Sequence, residues 1–519
     1  MGKKVALITP PSHSHRTSEE NLGVGYLAAV LRKEGNFVTI IDGWLLDLGI
    51  QEIVDQVKSL KSVDLIGISC YISSISDVSE LIREIRGAGL VVPIVAGGYG
   101  PTFHPEDFLS VGCTYVLRGE AEQSILELLN AITDPSFPIT EVEGLVYKSG
   151  TGEPLSNRKV TPKQNLDTLP FPSRDSVQAT INLKNPIHIS TSRGCTANCL
   201  FCSVVSFDRQ MKQTTLWRSR TIPNFVEEIY RLYNEFGTDC FKIVDDSFIE
   251  PPRNVEWVQE LATELQKRNL TIKFRTQVRA DRLNPDLVAA LANVGWFATS
   301  IGVESGSVTA LKRMNKSAVP SDNINALTIL QSHSIYVQMG MILFDPYTTL
   351  LELQENLAFL KSLDWVVTKG IFTEMYASEG TPFSKKLASQ GLVIDSRHGN
   401  YQYRIESNRV ELVYRALKAW HKSHASTYDH AINPISAPKT LPMLGYAEYH
   451  EICLQLYKLD LEFFGEVLYF VDCSDQVIDD FVADRILVSV PIYNRILQSV
   501  LDLDAKYGLS YSTEPNPFL

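Results

Sequence analysis

The sequence contains no run of 18 or more apolar residues, so it offers no membrane span. It is also short of positive charge. Its 48 Lys and Arg face 60 Asp and Glu, for a formal net charge of -12. That excludes a broad basic face for a nucleic-acid backbone, because no attractive charge is left over. One local basic pocket for an anionic substrate is still compatible with it. Cysteine is sparse, eight in 519 residues, and does not form a disulfide framework in a chain this long. Three cysteines crowd into residues 195–202 and five are scattered. This usage points to a reducing cytosol, where thiolates stay available for metal. The N-terminus, Met1-Gly-Lys-Lys-Val-Ala-Leu-Ile, lacks a signal-peptide cleavage pattern and reads as a first strand. Internal repeats and low-complexity segments are absent as well.

What is present is an α/β pattern over most of the chain, long enough for two or three domains. Residues 1–137 alternate short apolar strands (Val5–Thr9, Phe37–Asp42, Leu65–Cys70, Val91–Ala96, Thr114–Leu117) with amphipathic helices. Continuous apolar strands of this kind predict a doubly wound parallel sheet covered on both faces, with ligands at the strand carboxyl ends. Residues 138–185 are rich in Pro, Thr, Asn and Asp. With the rigid stretch Leu169–Asp175 they read as a linker packed between domains. Residues 186–385 carry six further strand–helix units, the strands near 187–191, 241–245, 272–277, 297–303, 337–343 and 371–376. That predicts a partial (β/α)6 barrel with its chemistry at the strand carboxyl ends. Residues 386–519 read as a mainly helical, aromatic-rich region that helps shape the substrate pocket.

The chemistry concentrates in Cys195-Thr-Ala-Asn-Cys199-Leu-Phe-Cys202, directly after the strand at 187–191. Three thiolates on one loop can hold three irons of a [4Fe–4S] cluster. With no fourth cysteine nearby, one iron stays open. The amino and carboxylate groups of S-adenosylmethionine (SAM) can chelate there, which puts the sulfonium beside the cluster. The alternative is a zinc site, but that needs four closed ligands, and the nearest candidate, His188, lies inside the preceding strand. Phe201 suits an apolar wall near an adenine, or plain packing. Asp245 and Asp246 end an apolar strand, where they could accept from an ammonium; Asp246 reads equally well as a helix cap. Glu304 sits between glycines that allow a ligand to approach the backbone. The other cysteines, 70, 113, 240, 453 and 473, read as core thiols.

These motifs resemble radical SAM enzymes with an N-terminal cobalamin-binding domain, over residues 5–385. Cys-x-x-x-Cys-x-x-Cys is similar to the radical SAM signature, and Thr191-Ser-Arg-Gly194 to its lead-in. Val244-Asp-Asp-Ser-Phe248, Arg279-Ala-Asp-Arg282, Gly302-Val-Glu-Ser-Gly306 and Gly380-Thr-Pro382 resemble the later strand motifs. The resemblance implies SAM contacts from Phe201, Asp245, Asp246, Ser247, Arg279 and Glu304. In the first domain, Asn21-Leu-Gly23-Val-Gly25, Ala96-Gly97-Gly98-Tyr99-Gly100-Pro101-Thr102 and Leu117-Arg-Gly-Glu-Ala-Glu122 resemble cobalamin-binding loops. They imply corrinoid contacts from Ser69, Ser73, Ser74, Gly97, Gly98, Thr102, Gly119 and Glu120; each glycine also fits an ordinary strand–helix turn. The Asp-x-His-x-x-Gly cobalt-ligand loop is missing, and His13 and His15 read as surface histidines.

The function implied is reductive cleavage of SAM to a 5′-deoxyadenosyl radical, with methyl transfer through cobalamin to an unactivated carbon of a small-molecule or peptide substrate. A one-electron donor such as flavodoxin or ferredoxin is implied too. The alternatives are a cobalamin-dependent cyclase or rearrangement enzyme, a radical SAM enzyme with a vestigial cobalamin domain, and a redox protein with a structural cluster. The residue that acts on substrate is not indicated.

Overall fold

The computed structural model describes residues 2–11, 20–60, 62–157, 165–211, 216–397, 399–436 and 440–509. His13 and His15 lie outside the described residues. The chain opens with β1 (Lys4–Thr9), β2 (Phe37–Asp42), β3 (Leu65–Ser69), β4 (Ile94–Gly97) and β5 (Tyr115–Leu117). All five run parallel, in the order β2-β1-β3-β4-β5. Val5–Ile8 and Leu65–Ile68 are buried throughout, as strands sandwiched between helix layers must be. The helix Leu22–Lys33 starts at Asn21, whose side chain accepts from the Val24 amide. Strand order reverses between β1 and β3, which opens a crevice at their carboxyl ends.

The first sheet extends further than the sequence pattern indicates. β6 (Leu145–Lys148) and β7 (Pro154–Ser156) add to it antiparallel, next to β5. They fall inside the segment expected as a linker. Such short strands leave little periodicity to read, yet Leu145 and Val146 are buried. The rest of that segment does run between the domains. Arg32 pairs with Asp175, the Ser173 amide bonds the Gly25 carbonyl, and Ser176 donates to Asp42.

The second sheet is formed by β8 (Ile187–Ile189), β11 (Cys240–Ile243), β12 (Lys273–Arg279), β13 (Trp296–Glu304) and β14 (Tyr336–Met341), in the order β14-β13-β12-β11-β8, all parallel. Between β8 and β11, the short antiparallel strands β9 (Ser192–Gly194) and β10 (Trp217–Ser219) flank the cysteine loop. The expected sixth strand is reduced to the parallel bridges Gln338↔Val367 and Phe344↔Glu374. Gly370, at φ +89°, breaks the extended run between them. A hairpin, β15 (Val393–Arg397) and β16 (Asn400–Tyr403), leads into three long helices, Asn408–Ser436, Met443–Phe470 and Asp475–Tyr507.

These tail helices share one continuous hydrophobic core with the second sheet, from Ile187 and Phe274 through Trp420 to Tyr493. The last helix is long and apolar enough to cross a membrane by length and composition alone. Its best 18-residue window has mean hydropathy 1.2 and is 22% buried. Asp479, Asp480, Asp484 and Arg485 interrupt its apolar run, and Ile478, Val482, Tyr493, Ile496 and Val500 bury its inner face.

Candidate active site

The cysteine loop leaves β9 and is tied down on every side. Cys195 N bonds the Leu216 carbonyl, Leu200 N the Met314 carbonyl, and Phe383 N the Leu200 carbonyl. Asn315 Nδ2 donates to the Asn198 carbonyl at 2.6 Å. All three cysteines therefore stand at the carboxyl end of the second sheet. Burial pushes the Cys202 thiol up to about 11. It also raises Cys195 and Cys199, with Arg279 opposing at both and Lys316 at Cys199. Those cations are the neighbours a set of thiolates needs. Among the described residues no three His, Cys, Asp or Glu side chains converge on one metal ion. His188 is committed elsewhere, its Nδ1 lying 2.8 Å from the Glu20 carbonyl oxygen.

The strand-end acids divide into two kinds. Asp245 is 1% exposed and accepts from Thr191 N at 2.7 Å, from the Thr191 and Ser192 hydroxyls, and from Arg253. Its oxygens are consumed in joining β8 to β11, so it is no contact for an ammonium, contrary to the sequence expectation. Asp246 accepts from Gly194 N at 3.0 Å, beside Cys195. Ser247 is fully buried, and its hydroxyl finds no partner among the described residues. Arg279 holds Asp281 through two bonds of 3.0 and 2.7 Å. Glu304 has φ +66°, a strained value for a side-chain-bearing residue, and pairs with Lys316 at 2.8 Å. Phe201 packs on the apolar cluster of Met314, Met375 and Phe383.

Between the two sheets lies a cavity of about 480 Å³. Ser69, Gly97, Gly98, Gly119 and Glu120 from the first domain line it, opposite His188, Ser190, Arg193, Phe207 and Val244 from the second. Three expected corrinoid contacts are not on this wall. Thr102 is fully buried, donates to the Gly98 carbonyl and accepts from Gly119 N, so it clamps the two glycine loops together. Ser74 closes a turn with the Tyr71 amide, and Ser73 is absent from the lining. Cys70 also turns inward, its thiol donating to the Tyr71 carbonyl. No lining residue comes from 386–519, so the tail does not shape this cavity. Cys473 is exposed rather than a core thiol.

The walls suit a large flat ligand. Trp44 and Tyr71 lie with ring centroids 5.4 Å apart, Tyr99 and Phe207 with centroids 4.6 Å apart. A side chain on Gly97 would meet only the Leu117 carbonyl, at 3.6 Å, and would take up space next to the cavity. Gly98, at φ +105°, is required because a Cβ there would fall 2.5 Å from the Cys70 carbonyl oxygen.

Sequence reasoning missed several residues here. Glu250 is fully buried, with Oε1 3.5 Å from Cys195 Sγ and Oε2 accepting from Thr196 and Arg282. Arg193 crosses between domains to Glu120 at 3.1 Å and Glu122 at 2.7 Å, and Arg218 also pairs with Glu120. Below the cavity Arg174 joins Glu20 at 2.7 Å to Glu228 at 2.6 Å. The position of Glu250, between the strand-end acids and Pro251-Pro252, is a weak hint; nothing local marks Lys316.

Comparison with known proteins agrees with this geometry. Residues 14–129 match the model of the B12 binding domain, and residues 189–360 that of the radical SAM superfamily. An uncharacterised methyltransferase of Pyrococcus horikoshii is 28% identical over 373 residues, 70% of this chain and 78% of that protein. Among solved structures, the cobalamin-dependent SAM radical enzyme OxsB, with aqua-cobalamin and SAM bound, superimposes with TM-score 0.78 at 21% identity, covering 99% of this chain and 82% of that one. The radical SAM methyltransferase TsrM of Kitasatospora setae, with cobalamin and a [4Fe–4S] cluster bound, gives TM-score 0.62 at 16% identity, over 76% of each chain. The likeness to the last two is one of fold.

Proposed function

The chain belongs to the cobalamin-dependent radical SAM enzymes, and from that premise we propose that it transfers a methyl group to an unactivated carbon of a small-molecule or peptide substrate. The observation that carries the reading is a cavity walled by both domains. One of its walls is Phe207, in the helix Ser203–Gln210 that begins immediately after Cys202. A methyl source in that cavity would then stand next to a radical source at the cysteine loop. When bound, the cluster with SAM supplies a 5′-deoxyadenosyl radical and the cobalamin supplies the methyl group.

The chain's own residues have four tasks. Cys195, Cys199 and Cys202 would hold the cluster, with Arg279 and Lys316 offsetting part of its negative charge. Glu304 and Asp246, both at the strand mouth, would take the SAM ammonium and ribose, Asp245 being held by Thr191, Ser192 and Arg253. Ser69, Gly97, Gly98, Gly119 and Glu120 would cradle the corrinoid. The apolar and aromatic walls exclude water and stray hydrogen donors from a radical that attacks most C–H bonds. An external one-electron donor and a reducing compartment complete the proposal.

The P. horikoshii relative, named as a methyltransferase, supports methyl transfer over rearrangement. The test is anaerobic purification with iron and cobalamin supplied, followed by a metabolite screen. A SAM-dependent gain of one CH2 in a product supports the proposal. Products of unchanged carbon count, formed with 5′-deoxyadenosine, would favour cyclase or rearrangement chemistry instead.

A further inference from the structure

We propose that Tyr99 and Phe207 form a partition between the corrinoid cavity and the cysteine loop, one that keeps the 5′-deoxyadenosyl radical from reaching cobalt. The proposal rests on the family reading above and adds to it a positioning role for two residues.

The need for a partition follows from the chemistry. One electron from the reductant breaks the S–C5′ bond of SAM, giving methionine and a carbon radical. Cob(II)alamin carries one unpaired electron. The two can pair into a Co–C bond with no further oxidant, reductant or proton. The product, adenosylcobalamin, would remove both cofactors from the cycle. A site holding both partners close together must therefore prevent direct contact between them while leaving substrate a path to each.

The Tyr99–Phe207 pair stands where such a barrier is needed. Both residues line the cavity. Phe207 lies in the helix that begins directly after Cys202. Tyr99 comes from the opposite domain, yet its phenol is within electrostatic reach of Cys202 and Asp246. The rings meet at 4.6 Å with planes tilted by 38°, a contact geometry typical of packed aromatic pairs. The backbone that carries Tyr99 is held on both sides, Gly100 N donating to the Cys70 carbonyl at 3.2 Å and the Thr102 hydroxyl to the Gly98 carbonyl at 2.7 Å. Two flat side chains, one from each domain, thus meet at the cavity wall next to the helix that follows Cys202, and none of Cys195, Cys199 and Cys202 lines the cavity.

The test uses the holoenzyme loaded with iron and cobalamin, with SAM and dithionite but no substrate. Adenosylcobalamin is measured by its corrin absorption and its loss on exposure to light, relative to the 5′-deoxyadenosine formed. Tyr99→Ala and Phe207→Ala are expected to raise that ratio at least tenfold; Tyr99→Phe should match the wild type. A second readout needs no turnover. Cyanide should replace water on bound aquacobalamin about tenfold faster in the alanine variants, as followed by the corrin spectrum. Tyr99→Leu and Phe207→Leu keep most of the packing volume and serve if the alanine variants fail to fold; intermediate increases are expected. Variants with wild-type iron and cobalamin content, and with both the ratio and the exchange rate unchanged, would overturn the partition. A wild-type protein that takes up no cobalamin sinks the family reading instead, and the partition with it.

Discussion

At the mouth between the domains, buried polar groups are answered by charge. Arg193 and Arg218 meet Glu120 and Glu122, and Arg174 spans Glu20 and Glu228. In the helical tail the same problem is solved without a cation. Asp460 is fully buried and accepts from Trp420 Nε1 at 2.9 Å and from the Tyr428 and Tyr493 hydroxyls. Around it Trp420 stacks on Phe463 with centroids 4.1 Å apart, and His424 bonds the Trp420 carbonyl and the Ser489 hydroxyl. The difference fits the two duties. A mouth that must bind charged cofactors needs fixed charges, each stabilised by its pair. A packing element only needs every polar atom satisfied, and neutral donors suffice for that.

The sharpest way to break the comparison is at the cysteine loop. Cys199→Ala should abolish iron loading and turnover together while far-ultraviolet circular dichroism stays native. Retained iron per chain would contradict the assignment. Next in size is the charge network. Arg174→Met leaves Glu20 and Glu228 buried without their shared cation, a loss expected to cost on the order of 3 kcal/mol. It should appear as a lowered first thermal transition and faster proteolysis between the domains.

The tail responds to pH instead. Burial raises the Asp460 carboxyl from 3.8 to about 7. Below pH 4 both folded and unfolded chains hold that proton. Between 4 and 7 the unfolded chain releases it first, so this group's contribution makes stability fall as pH rises, then level off above 7. The melting temperature should therefore drop more from pH 5.5 to pH 8 in the wild type than in Asp460→Asn; equal drops would refute the assignment. The smallest effect is expected at the solvent-exposed ion pairs of Arg415 with Asp475 and Asp479. Arg415→Ala should change stability by no more than about 0.5 kcal/mol in denaturant titration.

The parallel strands of both sheets were legible because their apolar runs are continuous. Leu65–Ser69 and Trp296–Glu304 read directly as buried strands. β6 and β7 escaped notice because four and three residues carry too little period. In the site, the grouping of Cys195, Cys199 and Cys202 was legible because one loop carries all three. Asp245 and Asp246 both read as strand-end acids, Asp246 equally as a helix cap; in the fold Thr191, Ser192 and Arg253 bond the first and Gly194 N the second.

By itself, then, the sequence determined which residue types are available and what local elements they form: three thiols on one loop, glycine pairs after strands, helices of the right period. Only the tertiary structure decided which polar groups remain open to a ligand. Thr102 is used up by Gly119, Ser74 by its own turn and Asp245 by Thr191, while Tyr99 is carried across the domain boundary to Phe207. The physical reason is range. Backbone preferences and periodicity act over a few residues, whereas a hydrogen bond is satisfied by whichever partner the fold brings within about 3 Å, often from far along the chain.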